Sequence, residues 1–146
     1  VGQSGTSLTS NPAAVVSSAS YTGYALGLLT EVGYAPIFTT ADFSATANFS
    51  SGSMSVSTSN TKGVSLSTGN DLGSYSADNI SGTLSKSGSN NYTYTGTVTS
   101  NYASNSISGT ATLQVYGPSA ESVAGSAILT RGDGTRNHAL SFGGTR

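Results

Sequence analysis

Residues 41–49 read ADFSATANF. Phe43, Ala45, Ala47 and Phe49 fall on one side of an extended chain, and Ser44, Thr46 and Asn48 on the other. A strand turns successive side chains to opposite faces, so such a run has one face to bury and one to wet. The alternation recurs through most of the chain. SYTGYALGLLT sets Tyr24, Leu26 and Leu28 on one face, and GSMSVSTS, GVSLS, NISGTLSKS, NYTYTGTVTS, SISGTATLQVY, VAGSAILT and NHALSFGG follow. SSGS, TKG, SGSNN and GDG supply turns between several of them. Nowhere do apolar residues recur at the i, i+3, i+4, i+7 spacing of an amphipathic helix.

The fold class is therefore all-β, with about eight or nine short strands in a meander. A small antiparallel up-and-down β-barrel buries one face of every strand and removes the edges. A flattened two-sheet sandwich is the alternative. Inward-facing glycines (Gly23 or Gly27, Gly82, Gly96, Gly109, Gly125) suit the tight bends of a small barrel. Residues 1–19, broken by Asn11-Pro12, read as an N-terminal tail or edge strand, and residues 20–146 as the barrel domain.

Charge narrows the function classes. Only 8% of the residues are charged and the net charge is −1, which gives no electrostatic footprint for nucleic acid or an anionic membrane. Without cysteine, no disulfide framework, zinc-cysteine site or thiol nucleophile can form. No run is long and apolar enough for a membrane-spanning helix. The Ser/Thr/Gly-rich, Lys-poor composition fits a secreted or cell-surface bacterial protein. The start shows no basic segment followed by an apolar one, so a signal peptide, if one existed, has been removed, and there is no cysteine there to acylate.

One turn departs from the Gly/Asn/Ser pattern. Tyr116-Gly117-Pro118-Ser119-Ala120-Glu121 precedes Val123-Ala124-Gly125. Pro118 fixes its own φ and starts a tight turn, Glu121 is placed to cap nearby amides, and Tyr116 to lie over the barrel end. This stretch resembles the Tyr-Gly-Pro-x-Ala-x-Glu-x-Gly-Gly pattern of the barrel domains of transferrin-binding protein B, and the related barrels of factor H binding protein and of the haem carriers called hemophilins. Leu140-Ser141-Phe142-Gly143-Gly144-Thr145-Arg146 is similar to that family's Val-Phe-Gly-Ala-x-Arg ending. The hairpin Ala41-Asp42-Phe43 to Phe49-Ser50-Ser51-Gly52, then Met54-Ser55-Val56 and Ile80-Ser81-Gly82-Thr83-Leu84, follows its rhythm. The likeness spans roughly residues 20–146. Ala124 stands where the family usually has Gly, and Gly144 where it has Ala. The resemblance implies a bacterial binding barrel, extracellular or on the cell surface.

Candidate ligand-binding residues are Tyr34, Ile37, Phe38 and His138. The segment Glu31-Val32-Gly33-Tyr34-Ala35-Pro36-Ile37-Phe38 joins two strands yet carries three large apolar groups, which must cover a barrel mouth or meet a partner. His138, the only histidine, shares a face with Leu140 and Phe142, so an inward Phe142 brings the imidazole inward too. There it could ligate haem iron, with the Tyr34 phenolate as a weaker candidate ligand. The competing expectations are a hydrogen-bonded histidine and a lid that plugs its own barrel. Arg131-Gly132-Asp133 sits at a hairpin tip, where Asp-Gly is also an ordinary turn. Tyr92 and Tyr94 share a face and Tyr102 follows in a loop, read as cross-strand packing rather than a sugar-binding stripe. The acids are scattered, with no nucleophile elbow, phosphate loop or metal-ligand spacing, so the chain is not expected to be an enzyme.

The expected function is a binding module, most concretely a haem carrier for iron acquisition that hands its cargo to an outer-membrane receptor. The alternatives are a surface module holding a host protein, such as transferrin or a complement regulator, and a structural or adhesive domain with no pocket.

Overall fold

The computed structural model describes residues 16–87, 92–100 and 106–146. Residues 1–15 of the expected tail and Tyr102 lie outside them. Nine strands follow one another: β1 (Ser18–Glu31), β2 (Ile37–Asn48), β3 (Ser53–Ser65), β4 (Asp71–Ser74), β5 (Ile80–Lys86), β6 (Thr93–Ser100), β7 (Ser108–Tyr116), β8 (Ser122–Thr130) and β9 (Arg136–Thr145). A 3₁₀ turn, Ser76–Asp78, precedes β5. All pairings are antiparallel.

Eight of the strands close into a barrel, because β1 bonds both β2 and β9 and β3 bonds both β2 and β5. The short β4 lies outside the ring, added to the C-terminal half of β3 beyond the stretch that pairs with β5. The up-and-down barrel expected from the alternation is thus present, with one extra strand.

The interior is filled from every strand of the ring. Tyr21, Phe43, Phe49, Met54, Leu84, Tyr94, Val98, Leu113, Leu129 and Phe142 are buried there. On β1 the inward series is Tyr21, Gly23, Ala25, Gly27 and Leu29, so the Tyr24, Leu26, Leu28 face is the outer wall. The small inward residues of β1 have a job. Phe43 on β2 and Phe142 on β9 flank β1 at Gly23 and Ala25, and their rings stack across it with centroids 4.9 Å apart. Large and small residues alternate around the wall, which lets side chains interdigitate without strain. At Gly109 a Cβ would lie 1.8 Å from the Ile128 carbonyl oxygen, so only glycine allows β7 to approach β8 this closely.

One irregularity matters later. Between Thr40/Asp42 the β2–β3 register shifts, with Asn60 and Thr61 together opposite Ala41. This is a β-bulge, and it turns Asn60 outward while Thr61 is buried.

A candidate binding site at the barrel mouth

The C-terminal end of β1, the β3–β4 connection, the 3₁₀ turn and the β8–β9 turn meet at one end of the barrel. Residues 32–36 form its most prominent loop. The Tyr34 amide donates to the Glu31 carbonyl at 3.0 Å, closing a tight turn, and the Val32 amide donates to the Thr135 carbonyl at 2.9 Å. The second bond ties the loop to the β8–β9 turn. The Leu66 amide reaches the Pro36 carbonyl at 3.3 Å, bringing the β3–β4 connection alongside. Val32 (75% exposed), Tyr34 (73%) and Leu66 (56%) project from this rim, with Leu72 of β4 also exposed.

Beneath the rim lies a buried ionic floor. Arg136 Nη2 donates to both carboxylate oxygens of Asp78, at 2.9 and 2.8 Å, and Arg136 Nη1 donates to Glu31 Oε2 at 2.7 Å. Arg131 Nη1 adds a bond to Glu31 Oε1 at 3.3 Å. Asp78 and Arg136 are almost wholly enclosed. Burial raises the Asp78 carboxyl above its ordinary value, against the pull of the Arg136 hydrogen bonds and charge. With Nη2 held between both oxygens of Asp78 and Nη1 held by Glu31, the guanidinium is fixed in orientation as well as balanced in charge. Between rim and floor is a cavity of about 180 Å³ lined by Leu29, Glu31, Tyr34, Ala35, Ile37, Tyr75 and Arg136.

Of the sequence candidates, Tyr34 and Ile37 come together at this cavity. Phe38 points from the outer wall, cross-strand to Leu28 and Val64. His138 lies deeper, fully buried, and does not line the cavity. Its Nε2 is 2.8 Å from Thr39 Oγ1, while Nδ1 has no hydrogen-bond partner among the described residues. Gly27 makes room for the ring, since a Cβ there would stand 2.9 Å from Nε2 and 2.7 Å from the Thr39 hydroxyl. Burial, reinforced by the Arg136 charge, lowers the imidazole pKa to about 4, so the ring is neutral near pH 7.

The remaining motifs are also placed. In the Arg131-Gly132-Asp133 tip, Arg131 is turned onto Glu31, and Asp133 Oδ1 accepts from the Thr135 amide and hydroxyl at 3.0 and 2.6 Å. Those bonds lower the Asp133 pKa. Tyr94 is fully buried with its ring 6.4 Å from that of Phe49, and Tyr92 packs against the core. Tyr116, Gly117, Pro118 and Glu121 lie at the opposite end of the barrel. There Tyr116 is buried, Gly117 has φ 91°, and Glu121 Oε2 accepts from the Ser119 amide at 3.0 Å. Among the described residues, no group of three or more His, Asp or Glu side chains is placed to hold a metal ion. No helix among them is long and apolar enough to cross a membrane.

Asp78, Arg136 and Tyr75 did not stand out in the sequence. For Arg136 a signal existed, because it belongs to the same alternating series as His138, Leu140 and Phe142. Period two puts it inward, and an inward guanidinium demands a buried acid. The acid itself, on a 3₁₀ turn 58 residues away, carries no periodicity to reveal it.

No known protein-family pattern matches the chain. No curated protein matches its sequence. Solved structures do match, with a closed barrel of this kind. The fold is that of the transferrin-binding protein B barrels. A double mutant of transferrin-binding protein B from Haemophilus parasuis superposes with a TM-score of 0.61 at 14% identity, over 88% of this chain and 25% of that one. The protein from serogroup B Neisseria meningitidis gives 0.58 at 14% identity, over 90% and 25%. Intact Ap-TbpB, with its N and C lobes, gives 0.58 at 11% identity, over 88% and 26%. The chain spans about a quarter of the length of each, and at these identities the likeness is one of fold.

Proposed function

We propose that this chain is a non-catalytic protein-binding barrel that works outside a bacterial cell and holds its partner at the mouth. The observation that carries this reading is the rim. Val32, Tyr34 and Leu66 are exposed large apolar side chains carried on two neighbouring connections at that end. Apolar side chains gathered on loops around a cavity mark contact sites, unlike ones scattered singly. Tyrosine is a frequent anchor of protein interfaces. The ionic floor holds the loop bases in one arrangement, so little ordering remains to be done on binding.

The solved barrels of the same fold are named for binding transferrin, which makes transferrin the first partner to test and a complement regulator the second. The chain, immobilised, is titrated with transferrin; saturable binding that falls at least about tenfold in Val32→Ser/Tyr34→Ser supports the reading. Equal binding by the variant, or none by the wild type to either partner, opposes it.

A second reading, haem carriage, draws on the Nδ1 atom of His138, which is buried without a hydrogen-bond partner among the described residues. It requires the wall at β1 and β2 to open, because the ring is enclosed behind Gly27 and Thr39. A haemin titration decides it: the reading needs a saturable one-to-one Soret shift that His138→Ala removes. An outer-membrane receptor would then be the partner.

A further inference from the structure

The outer wall is not uniform. Across β5, β6 and β7 its outward positions are almost all hydroxyl-bearing, such as Ser81, Thr83, Thr97 and Thr110. On β1 the outward series contains Tyr24, 74% exposed, far from either end of the barrel. Its cross-strand neighbours are Asp42 on β2 and Gly143 on β9, and the glycine has no side chain to lean on the ring. Tyr24 and Asp42 form a ridge between two shallow hollows. One, of about 450 Å³, is lined by Thr22, Ser44 and Ser59; the other, of about 410 Å³, by Thr40, Asn60 and Lys62.

The β-bulge lies at this same place. By adding a residue to β3 it turns Asn60 onto the outer face, where Nδ2 donates to Asp42 Oδ2 at 2.7 Å. Asn60 has φ 53°, one of two non-glycine residues among those described with a left-handed backbone. Asparagine tolerates that conformation better than most residues, though it still costs stability. The bulge is anchored from within: the Thr61 amide donates to Asn79 Oδ1 at 3.2 Å, and the Tyr75 amide donates to the Thr61 carbonyl at 2.8 Å. The bulge backbone is therefore anchored where Asn60 meets Asp42 beside an exposed aromatic ring, and a bulge is a known device for re-aiming a side chain toward a site.

We propose that Tyr24, Asp42 and Asn60 form a carbohydrate-binding platform on the outer wall of the barrel. The chemistry of the ligand follows from the groups present. One face of a pyranose ring is a patch of C–H groups, which matches the face of the Tyr24 ring. Its vicinal hydroxyls both donate and accept, which matches a carboxylate acceptor beside an amide carrying both functions. Thr22, Ser44 and Ser59 supply further hydroxyls at the edge. Asp42 and Lys62 carry opposite charges, so the platform complements a neutral saccharide rather than an anionic one. The site is independent of the mouth, and either can fail without the other.

The test is an amide NMR titration of the chain with lactose, maltose, cellobiose and N,N′-diacetylchitobiose, each taken to tens of millimolar. At least one sugar is expected to give saturable shifts confined to residues 22–24, 40–44 and 57–62. Tyr24→Ala weakens that binding at least about tenfold, Tyr24→Phe retains it, and Asn60→Gly, which keeps the left-handed backbone, weakens it several-fold. Absence of such shifts with all four sugars overturns the proposal. So does binding that Tyr24→Ala and Asn60→Gly leave unchanged while the rest of the spectrum stays native.

Discussion

The two ends of this barrel are built from the same alternating strands and finished in opposite ways. The buried layer of the base is made of neutral groups. The Tyr21 hydroxyl donates to the Ala120 carbonyl at 2.7 Å, across 99 residues, and Ala120 is buried against it. Phe49 and Tyr94 fill the space beside it, and the residue that follows β9 is fastened there, with the Arg146 amide bonded to the Glu121 carbonyl at 2.9 Å and its guanidinium to the Ser119 carbonyl at 2.6 Å. Burial raises the pKa of both Tyr21 and Tyr94 to about 12, so both phenols stay protonated. The mouth is finished with charge instead. Four of the chain's few charged side chains converge there as Glu31, Asp78, Arg131 and Arg136, under an exposed apolar rim. Desolvating ions is costly, and an apolar plug would close the end at least as well. Ion pairs with fixed directions do what an apolar plug does not, which is to hold loop bases in register while the loop tips stay uncovered.

The contrast can be broken by experiment. The largest effect is expected from Asp78→Ala, which leaves Arg136 buried without its buried partner; urea unfolding should show a loss of about 3–5 kcal/mol. Replacing both groups, as Asp78→Leu/Arg136→Met, should recover most of that stability. A small loss from the single change would mean that the floor holds nothing in place.

Acid comes next. His138 is neutral in the fold, with a pKa near 4 against an ordinary 6.5. The unfolded chain therefore takes up its proton first as pH falls. The stability that depends on this group is complete above pH 6.5 and drains between pH 6.5 and about 4, by about 3 kcal/mol in all. Asp78 works in the other sense, because its raised pKa makes the fold gain protons ahead of the unfolded chain, a contribution present at low pH and lost as pH rises. Unfolding curves from pH 7 to pH 4 should show the His138 loss, and His138→Leu should flatten it.

At the shut end, Tyr21→Phe removes one buried donor and leaves the Ala120 carbonyl unpaired. About 1–2 kcal/mol of stability should go, with no change in anything bound at the mouth. The smallest stability effect belongs to Tyr34→Ser on the rim, expected within about 0.5 kcal/mol of the wild type in thermal unfolding, although partner binding should fall sharply.

Much of this architecture was legible in the sequence because alternation reports directly on which side of a wall a residue lies. The inward Phe43, Ala45, Ala47 and Phe49 are an example, and so is the inward series of His138, Leu140 and Phe142. Tyr24, Leu26 and Leu28 show where the signal stops. They share a face, but period two does not say which face is inside when the opposite one carries Tyr21, Ala25 and Leu29. The site was half legible for a related reason. A loop rich in Tyr, Ile and Val announces itself, whereas the floor depends on a contact between β9 and a 3₁₀ turn whose residues follow no repeat. The bulge at Asn60 was hidden as well, since one inserted residue in a Ser/Thr-rich strand barely disturbs the pattern.

Whether the mouth is the working end is decided most directly by one comparison of binding. The wild type, the rim variant Val32→Ser/Tyr34→Ser and the base variant Tyr21→Phe are titrated with transferrin under identical conditions. Binding by the wild type and Tyr21→Phe with loss in the rim variant is the expected result. Binding that survives the rim changes and disappears with the base change would contradict the assignment of function to the mouth.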